Sequence, residues 1–373
     1  MSVIADQLTE GRQRTLDLLG AFDDAFLSTQ HSELMSPLVW DLAHVGNYED
    51  LWLIRALGHD GVGSHLDDLY DAFRHPRRDR PSLPILGPAA ARTYLDEVRD
   101  RALTILEGET GRPNDARLLD DGFVYGMVIQ HEHQHDETML ATIQLSGASV
   151  DDAAPRGPGR LTTAPARTVA AGTYMIGTDA VPWAYDNERP AHPVDLDAFT
   201  IDAAPVTNAT YAAFVAAGGY DDERLWHQDG WAWRTQSDAS GPLFWGDDGT
   251  VRRFGATVEL DPDEPVQHVC WYEADACARW LGRRLPTEAE WEAAAPANTG
   301  QVWEWTSSSF VAWPGFASFP YREYSEVFYG PDYKVLRGGS WATHPSAIRP
   351  TFRNWDFPIR RQIFSGFRCA SDA

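Results

Sequence analysis

The stretch Gln130-His131-Glu132-His133-Gln134-His135-Asp136-Glu137 holds three of the chain's twelve histidines. Val128 before it, and Met139, Leu140 and Ile143 after it, are apolar at helical spacing, which predicts the middle of a long helix. On such a helix His131 and His135 are i and i+4. They stack on one face and can chelate one metal ion, while His133 points roughly to the opposite side. The plain alternative is a set of solvated polar residues on a surface helix. The pattern HExxH is also formally present from His131 to His135, so a zinc protease is a further alternative.

Two histidines need at least one more ligand. The best candidate is His44, in the segment from Pro37 to Trp52. There Leu38, Leu42, Val45 and Trp52 form a core-facing stripe with His44 beside it. A third histidine from a second helix is what a metal site in a bundle core requires. His75 and His344 are weaker candidates, since each precedes a proline in an expected loop.

At 373 residues the chain suits two domains rather than one small core. Hydrophobic content is 43% and no run approaches a membrane span, so a soluble protein without a membrane partner is expected. A formal charge of -24 argues against nucleic acid and anionic membranes. Cys270, Cys277 and Cys369 are an odd, sparse set, and no basic segment followed by an apolar core opens the chain. Both features point to the cytoplasm.

Residues 1–146 read as a four-helix bundle. Its helices are expected around Ile4, Leu8, Leu16 and Leu19, then over Pro37–Ala56, Pro88–Glu107 and residues 114–146. A basic loop, Phe73 to Pro81, stands out in an acidic protein and is either solvated or anion-binding. Residues 147–168 are small, Pro/Gly-rich and aperiodic, the signature of a linker. Residues 169–373 change style. Short apolar runs alternate with Gly, Pro and Asn, tryptophan is frequent, and only Asn208–Ala217 and Trp271–Trp280 look helical. This predicts an irregular α+β domain.

The second half carries an ordered set of motifs: Gly172–Gly177, Glu188–Val194, Pro205–Asn208, Arg284-Leu-Pro-Thr-Glu-Ala-Glu-Trp-Glu292, Val302-Trp-Glu-Trp-Thr306, Leu336-Arg-Gly-Gly-Ser-Trp341 and Gly366-Phe-Arg368. Together they resemble the formylglycine-generating-enzyme (sulfatase-modifying factor) fold, a variant of the C-type lectin fold. The first half, with His131, His135 and Glu137, resembles the DinB-like metal-binding bundle. In this order the two resemble the iron-dependent sulfoxide synthases of ergothioneine biosynthesis, and Thr351–Phe364 is especially similar to actinobacterial members. One departure stands out: only Ala293–Gly300 joins two motifs that the family separates by a longer segment.

The resemblance implies Fe(II) held by His44, His131 and His135, three neutral imidazoles that leave other positions open for substrate and dioxygen. It implies a reaction that joins a thiol to the imidazole C2 of Nα-trimethylhistidine (hercynine) and leaves a sulfoxide. Gln134 resembles the family residue that contacts the substrate imidazole. Asn354, Trp355, Asp356 and Arg360 suit the substrates' charged ends: an aromatic face for a quaternary ammonium, a guanidinium for a carboxylate, an aspartate for an amino group. The family's tyrosine donor, placed after the WEWT motif, corresponds to Tyr321 or Tyr324. γ-Glutamylcysteine is the expected thiol, because Asp356 and Arg360 offer a distant clamp for its amino-acid head and Arg77 and Arg80 suit its remaining carboxylate. The competing readings are a related synthase using cysteine, a zinc-dependent DinB-type thiol transferase, and a lectin-like binding protein with a structural metal.

Overall fold

The computed structural model describes residues 2–108, 111–149, 157–162 and 164–373. The chain divides into two compact units, Met1–Ala154 and Pro155–Ala373. Among the described residues, no helix is long and apolar enough to cross a membrane.

The first unit is built on four long helices: α1 (Ser2–Gly20), α2 (Leu38–Glu49), α3 (Pro88–Leu106) and α4 (Phe123–Ser146). Helix α2 packs on α3 and α4, and α1 packs on α4. Every residue of α2 is buried, so it is the central helix rather than one with a single apolar stripe. Gly46 makes this possible. A Cβ there would lie 3.1 Å from Leu95 Cδ1 on α3.

Helix α2 ends earlier than its apolar pattern suggests. From Asp50 to Arg55 the chain continues as a π-helix, with Ala56 N–H bonded to Leu51 O at 2.9 Å. Asp50 is buried there because its carboxylate accepts from the backbone N–H groups of Val62 and Gly63. Helix α4 begins at Phe123 rather than 114, because Asp121 and Gly122 take left-handed φ values of 49° and 71°, which no helix continues through. It stops at Gly147, also left-handed.

One buried cluster ties the four helices together, with one charge from each. Arg12 of α1 donates to Glu49 of α2 and Glu132 of α4, both at 2.7 Å. Arg99 of α3 donates to the same carboxylates at 2.6 and 3.0 Å. Burial opposes the charge on Glu132, but the two guanidiniums overcome it and hold the carboxylate below its ordinary range.

The second unit begins before Val169. Leu161 N–H bonds Asp263 O, Arg160 pairs with Asp261, and strand β1 (Arg167–Val169) starts inside the stretch read as a linker. Linker residues 150–156 and 163 lie outside the described residues. Strand β1 joins β4 (Phe199–Ile201) and β11 (Ala370–Asp372) in a three-stranded antiparallel sheet. A hairpin pairs β2 (Gly172–Ile176) with β3 (His192–Leu196), and another pairs β5 (Thr250–Arg253) with β6 (Ala256–Glu259). The largest sheet runs β10 (Ser365–Gly366), β7 (Trp303–Ser309), β8 (Lys334–Arg337), β9 (Asn354–Asp356). Four helices surround these sheets: α5 (Asn208–Ala216), α6 (Gln228–Ser237), α7 (Trp271–Trp280) and α8 (Glu288–Ala294). Sequence periodicity missed α6 and α8.

Several of the sequence motifs contribute partners to buried ion pairs. Glu288 takes Arg353 bidentately at 2.8 and 2.9 Å, Glu292 pairs with Arg337, Glu304 with Arg368, and Glu188 with Arg349. The short Ala293–Gly300 connector is tied down as well. Arg368 donates to Ala297 O, and Asn298, at a φ of 57°, bonds Thr162 and Ala203.

Removing one charge from the helical cluster leaves its partner buried and unpaired, which costs roughly 3–5 kcal/mol. Glu49→Gln is therefore expected to lower the unfolding midpoint of the helical unit in urea. A double change of Glu49 and Arg99 to methionine should recover much of that loss.

Candidate metal centre

Helix α2 presents His44, and α4 presents His131 and His135 one turn apart. One ring nitrogen from each lies within 4.8 Å of the other two. His44 Nε2 and His131 Nε2 are 3.2 Å apart, a gap that one ion at roughly 2.1 Å from each nitrogen spans. His44 and His131 are buried and His135 is half-buried.

Each ring is oriented by a different neighbour. His44 Nδ1 donates to Tyr70 O at 2.7 Å, which leaves Nε2 as the free acceptor, and its face stacks on Trp40 at 4.7 Å. His135 Nδ1 lies 3.0 Å from Asp41 Oδ1. His131 stacks on Tyr48, with centroids 3.6 Å apart and planes 10° from parallel. Burial, and then the neighbouring His135, push the pKa of both His44 and His131 well below 6.5. Both rings are therefore neutral at physiological pH, as metal ligation requires.

Sequence reasoning did not single out Trp40, Asp41 or Tyr48. The available signal was their spacing around His44, at i−4, i−3 and i+4 on one helix.

His133 is buried on the other side of α4, beside Gly11 of α1, with Nδ1 3.4 Å from Asp136. Glu132, the would-be base of the zinc-protease pattern, has its carboxylate committed to Arg12, Arg99 and Thr15. That placement removes the protease reading. Gln134 is half-buried on α4 between His133 and His135.

The basic loop is neither wholly solvated nor wholly available. Arg80 is buried, and burial pushes its pKa down to about 10. Its guanidinium donates to Ser36 Oγ, His75 O and Ala72 O and lies 3.5 Å from the Trp40 ring centre. Arg77 is exposed and donates to Leu34 O.

In the second unit, strand alternation sends Trp355 to one face of β9 and Asn354 and Asp356 to the other. Asp356 and Arg360 are brought together at 3.5 Å. Trp355 stacks on Phe310 at 4.2 Å and meets the ring of Tyr324 edge-on at 5.8 Å. Tyr324 in turn stacks on Tyr185 at 4.1 Å, and Tyr321 is 6.2 Å from Tyr324. Burial, followed by Tyr185, Tyr321 and Glu188, pushes the Tyr324 hydroxyl well above its ordinary pKa. Asp186 holds both ends of this tyrosine loop, accepting from Phe319 N at 3.2 Å and Ser325 Oγ at 2.7 Å.

Residues 7–139 match the DinB superfamily, and residues 155–299 and 297–373 match the sulfatase-modifying factor enzyme 1-like domain. The chain is thus α+β, a DinB-like helical unit followed by a formylglycine-generating-enzyme-like domain. It is 44% identical to a hercynine oxygenase of Mycolicibacterium smegmatis and 43% identical to one of Mycobacterium tuberculosis. Each comparison covers 99% of this chain and 98% of the relative. A formylglycine-generating enzyme of Streptomyces coelicolor is 32% identical over 54% of this chain and 87% of its own length. The two hercynine oxygenase alignments span 429 and 427 positions against 373 residues here, so those relatives carry residues that this chain lacks. The two stretches matching the second domain meet at residues 297–299, inside the short connector.

Two outcomes test this geometry. Alanine at His44, His131 or His135 is expected to abolish metal binding measured by anaerobic titration, whereas His133→Ala should leave it largely intact. The second concerns Asp186, whose carboxyl burial pushes up from 3.8 to about 6. A raised value means the fold favours the protonated acid: that contribution is complete below pH 3.8 and is lost as pH rises through 6. Asp186→Asn should therefore gain about 1 kcal/mol relative to wild type between about pH 5 and about pH 7.5, read from urea midpoints.

Proposed function

This chain belongs to the hercynine oxygenase family, and we propose that it is an iron(II)- and dioxygen-dependent sulfoxide synthase acting on hercynine and γ-glutamylcysteine in ergothioneine biosynthesis. The carrying observation is the three-histidine cluster, two of its rings buried, in a chain that matches hercynine oxygenases over 99% of its length. In the reaction, the thiol S–H and the imidazole C2–H bonds break and a C–S bond forms. One oxygen atom of dioxygen ends on sulfur and the other leaves as water.

Residues 1–146 form the metal-holding part and residues 169–373 the substrate-binding part in this reading. His44, His131 and His135 hold the ion, and the lowered pKa of His44 and His131 suits those two rings to ligation. Bound iron(II) supplies the electron transfer to dioxygen that neither substrate achieves unaided. Gln134, next to His135 on α4, positions the hercynine imidazole. Asn354 accepts or donates to the substrate's polar end, and Trp355 offers an aromatic face to the quaternary ammonium, which has no hydrogen to donate. Asp356 and Arg360, paired in the free protein, exchange each other for the ammonium and carboxylate of the γ-glutamyl head. Arg77 takes the remaining carboxylate. Arg80, whose donors are engaged by the chain itself, holds the loop that carries Arg77. The loop pinned by Asp186 supplies the proton donor, Tyr321 or Tyr324.

The test is oxygen uptake and product analysis with anaerobically purified, iron-loaded protein, hercynine and either γ-glutamylcysteine or cysteine. Sulfoxide formed faster from γ-glutamylcysteine supports the reading, and thiol transfer dependent on zinc but not dioxygen would overturn it. Arg360→Ala should lose roughly tenfold or more in efficiency with γ-glutamylcysteine, since each charge-assisted bond contributes roughly 1.5–3 kcal/mol. The loss with cysteine should be smaller, and equal losses would remove Arg360 from the thiol clamp. Phenylalanine at the donor tyrosine should leave substrate binding intact and shift product from sulfoxide towards oxidised thiol. Whichever of Tyr321→Phe and Tyr324→Phe does so identifies the donor.

A further inference from the structure

Asp41 is buried at 2% exposure, yet one of its carboxylate oxygens has no hydrogen-bond partner among the described residues. Its other oxygen meets His135 Nδ1 at 3.0 Å. The charge of Asp41 supports that of the buried Arg80, but an oxygen left without a partner is costly, and the contact of the other with His135 asks for a reason beyond stability. Tyr48, two turns along the same helix, is also buried, with its ring flat against His131. Trp40, one turn before His44, lies flat against that histidine.

Trp40, His44 and Tyr48 follow one another at four-residue intervals, so they line one side of α2, with Asp41 flanking them. Helix α2 therefore contributes one candidate ligand of its own and also touches both ligands offered by α4.

We propose that Asp41 and Tyr48 are positioning residues of the metal centre, which fix the rings of His135 and His131 before the ion arrives. This rests on reading the three histidines as a metal site. The physical ground is entropic and directional. An imidazole held at the right rotation loses no further freedom on binding, and a carboxylate on Nδ1 both selects the tautomer and makes Nε2 a better donor. The two residues differ in strength. Loss of a carboxylate behind a ligand histidine lowers metal affinity about 10- to 100-fold. Loss of one ring stack lowers it by roughly two- to tenfold.

The experiment uses the full chain, freed of metal, titrated with cobalt(II) and with anaerobic iron(II). The dissociation constant and the visible absorption of the cobalt form are read, together with thermal unfolding of the metal-free protein. Asp41→Ala is expected to weaken binding about 10- to 100-fold. Asp41→Asn, which keeps an acceptor but not the charge, should lie between it and wild type. Both should change the cobalt spectrum, and any loss of metal-free stability from the neighbouring Arg80 should be far smaller than the loss of affinity. Tyr48→Leu should weaken binding by roughly two- to tenfold and Tyr48→Phe should bind as wild type does. If Asp41→Asn and Tyr48→Leu bind cobalt(II) as tightly as wild type while His44→Ala does not, the positioning roles are overturned and the metal site stands. Loss of metal-free stability in both Asp41 variants, in proportion to their loss of affinity, would make Asp41 a structural residue and overturn its role too. Unchanged binding in His44→Ala and His135→Ala would instead remove the metal site itself.

Discussion

The helical unit depends on four charges that meet where no water reaches them. Arg12, Glu49, Arg99 and Glu132 come from four different helices, and each charge touches two of opposite sign. Ion pairs of this kind add little net stability compared with an apolar core, but they tolerate no misalignment, since a displaced partner leaves a bare charge inside. The cluster therefore acts on register more than on energy. On α4, Glu132 sits between His131 and His133. Turning that helix by one residue would bring a histidine against two guanidiniums. With Glu132 held in the cluster, His131 and His135 are directed to the flank where His44 waits. The HExxH pattern is two structures interleaved, candidate ligands on one flank and an ion-pair anchor on the other.

The second unit uses the same device in a different setting. Its sheets are short and its loops long, so backbone ladders alone cannot define it. Glu188, Glu273, Glu288, Glu292 and Glu304 each meet an arginine far away in sequence. These pairs fasten loops to strands across the domain. Arg353, locked on Glu288, immediately precedes Asn354, Trp355 and Asp356. The candidate substrate residues thus project from a strand whose start is fixed by a bidentate pair, and the neighbouring tyrosine loop is fixed at both ends by Asp186. The short connector after α8 survives because Arg368 and Asn298 tie its backbone to the rest of the domain.

Much of this was legible in the sequence, for physical reasons that also explain the failures. Histidines at i and i+4 define a face wherever a helix exists, so the cluster followed from spacing once His44 was found on a second buried helix. The motifs of the second half identified its fold, but their meaning as ion pairs was hidden, because each pair joins residues separated by tens to more than a hundred positions. Helix boundaries failed where single residues overrode periodicity: left-handed Asp121 and Gly122 before α4, and the π-helical turn after Glu49. The charged neighbours of Arg80 suggest a binding loop. Nothing in the sequence shows that Trp40 and three oxygen acceptors enclose it.

The candidate metal centre gathers buried polar groups in one place. Burial first, and then the neighbouring His135, hold the pKa of His44 and His131 well below 6.5, which favours the neutral rings. The Nε2 atoms of His44 and His131 approach to 3.2 Å, and with His44 Nδ1 donating to Tyr70 O, His44 Nε2 faces that gap as an acceptor. Asp41 adds an oxygen with no partner among the described residues. Burying so many polar groups in one place costs desolvation that their few contacts only partly offset. The ion cluster on the other flank of α4 keeps them in place, because its geometry leaves the helix no second rotation to relax into. A rigid scaffold that gains little from its charges, and a cluster of buried imidazoles held at fixed rotations, are in this view one design: the first is what makes the second possible.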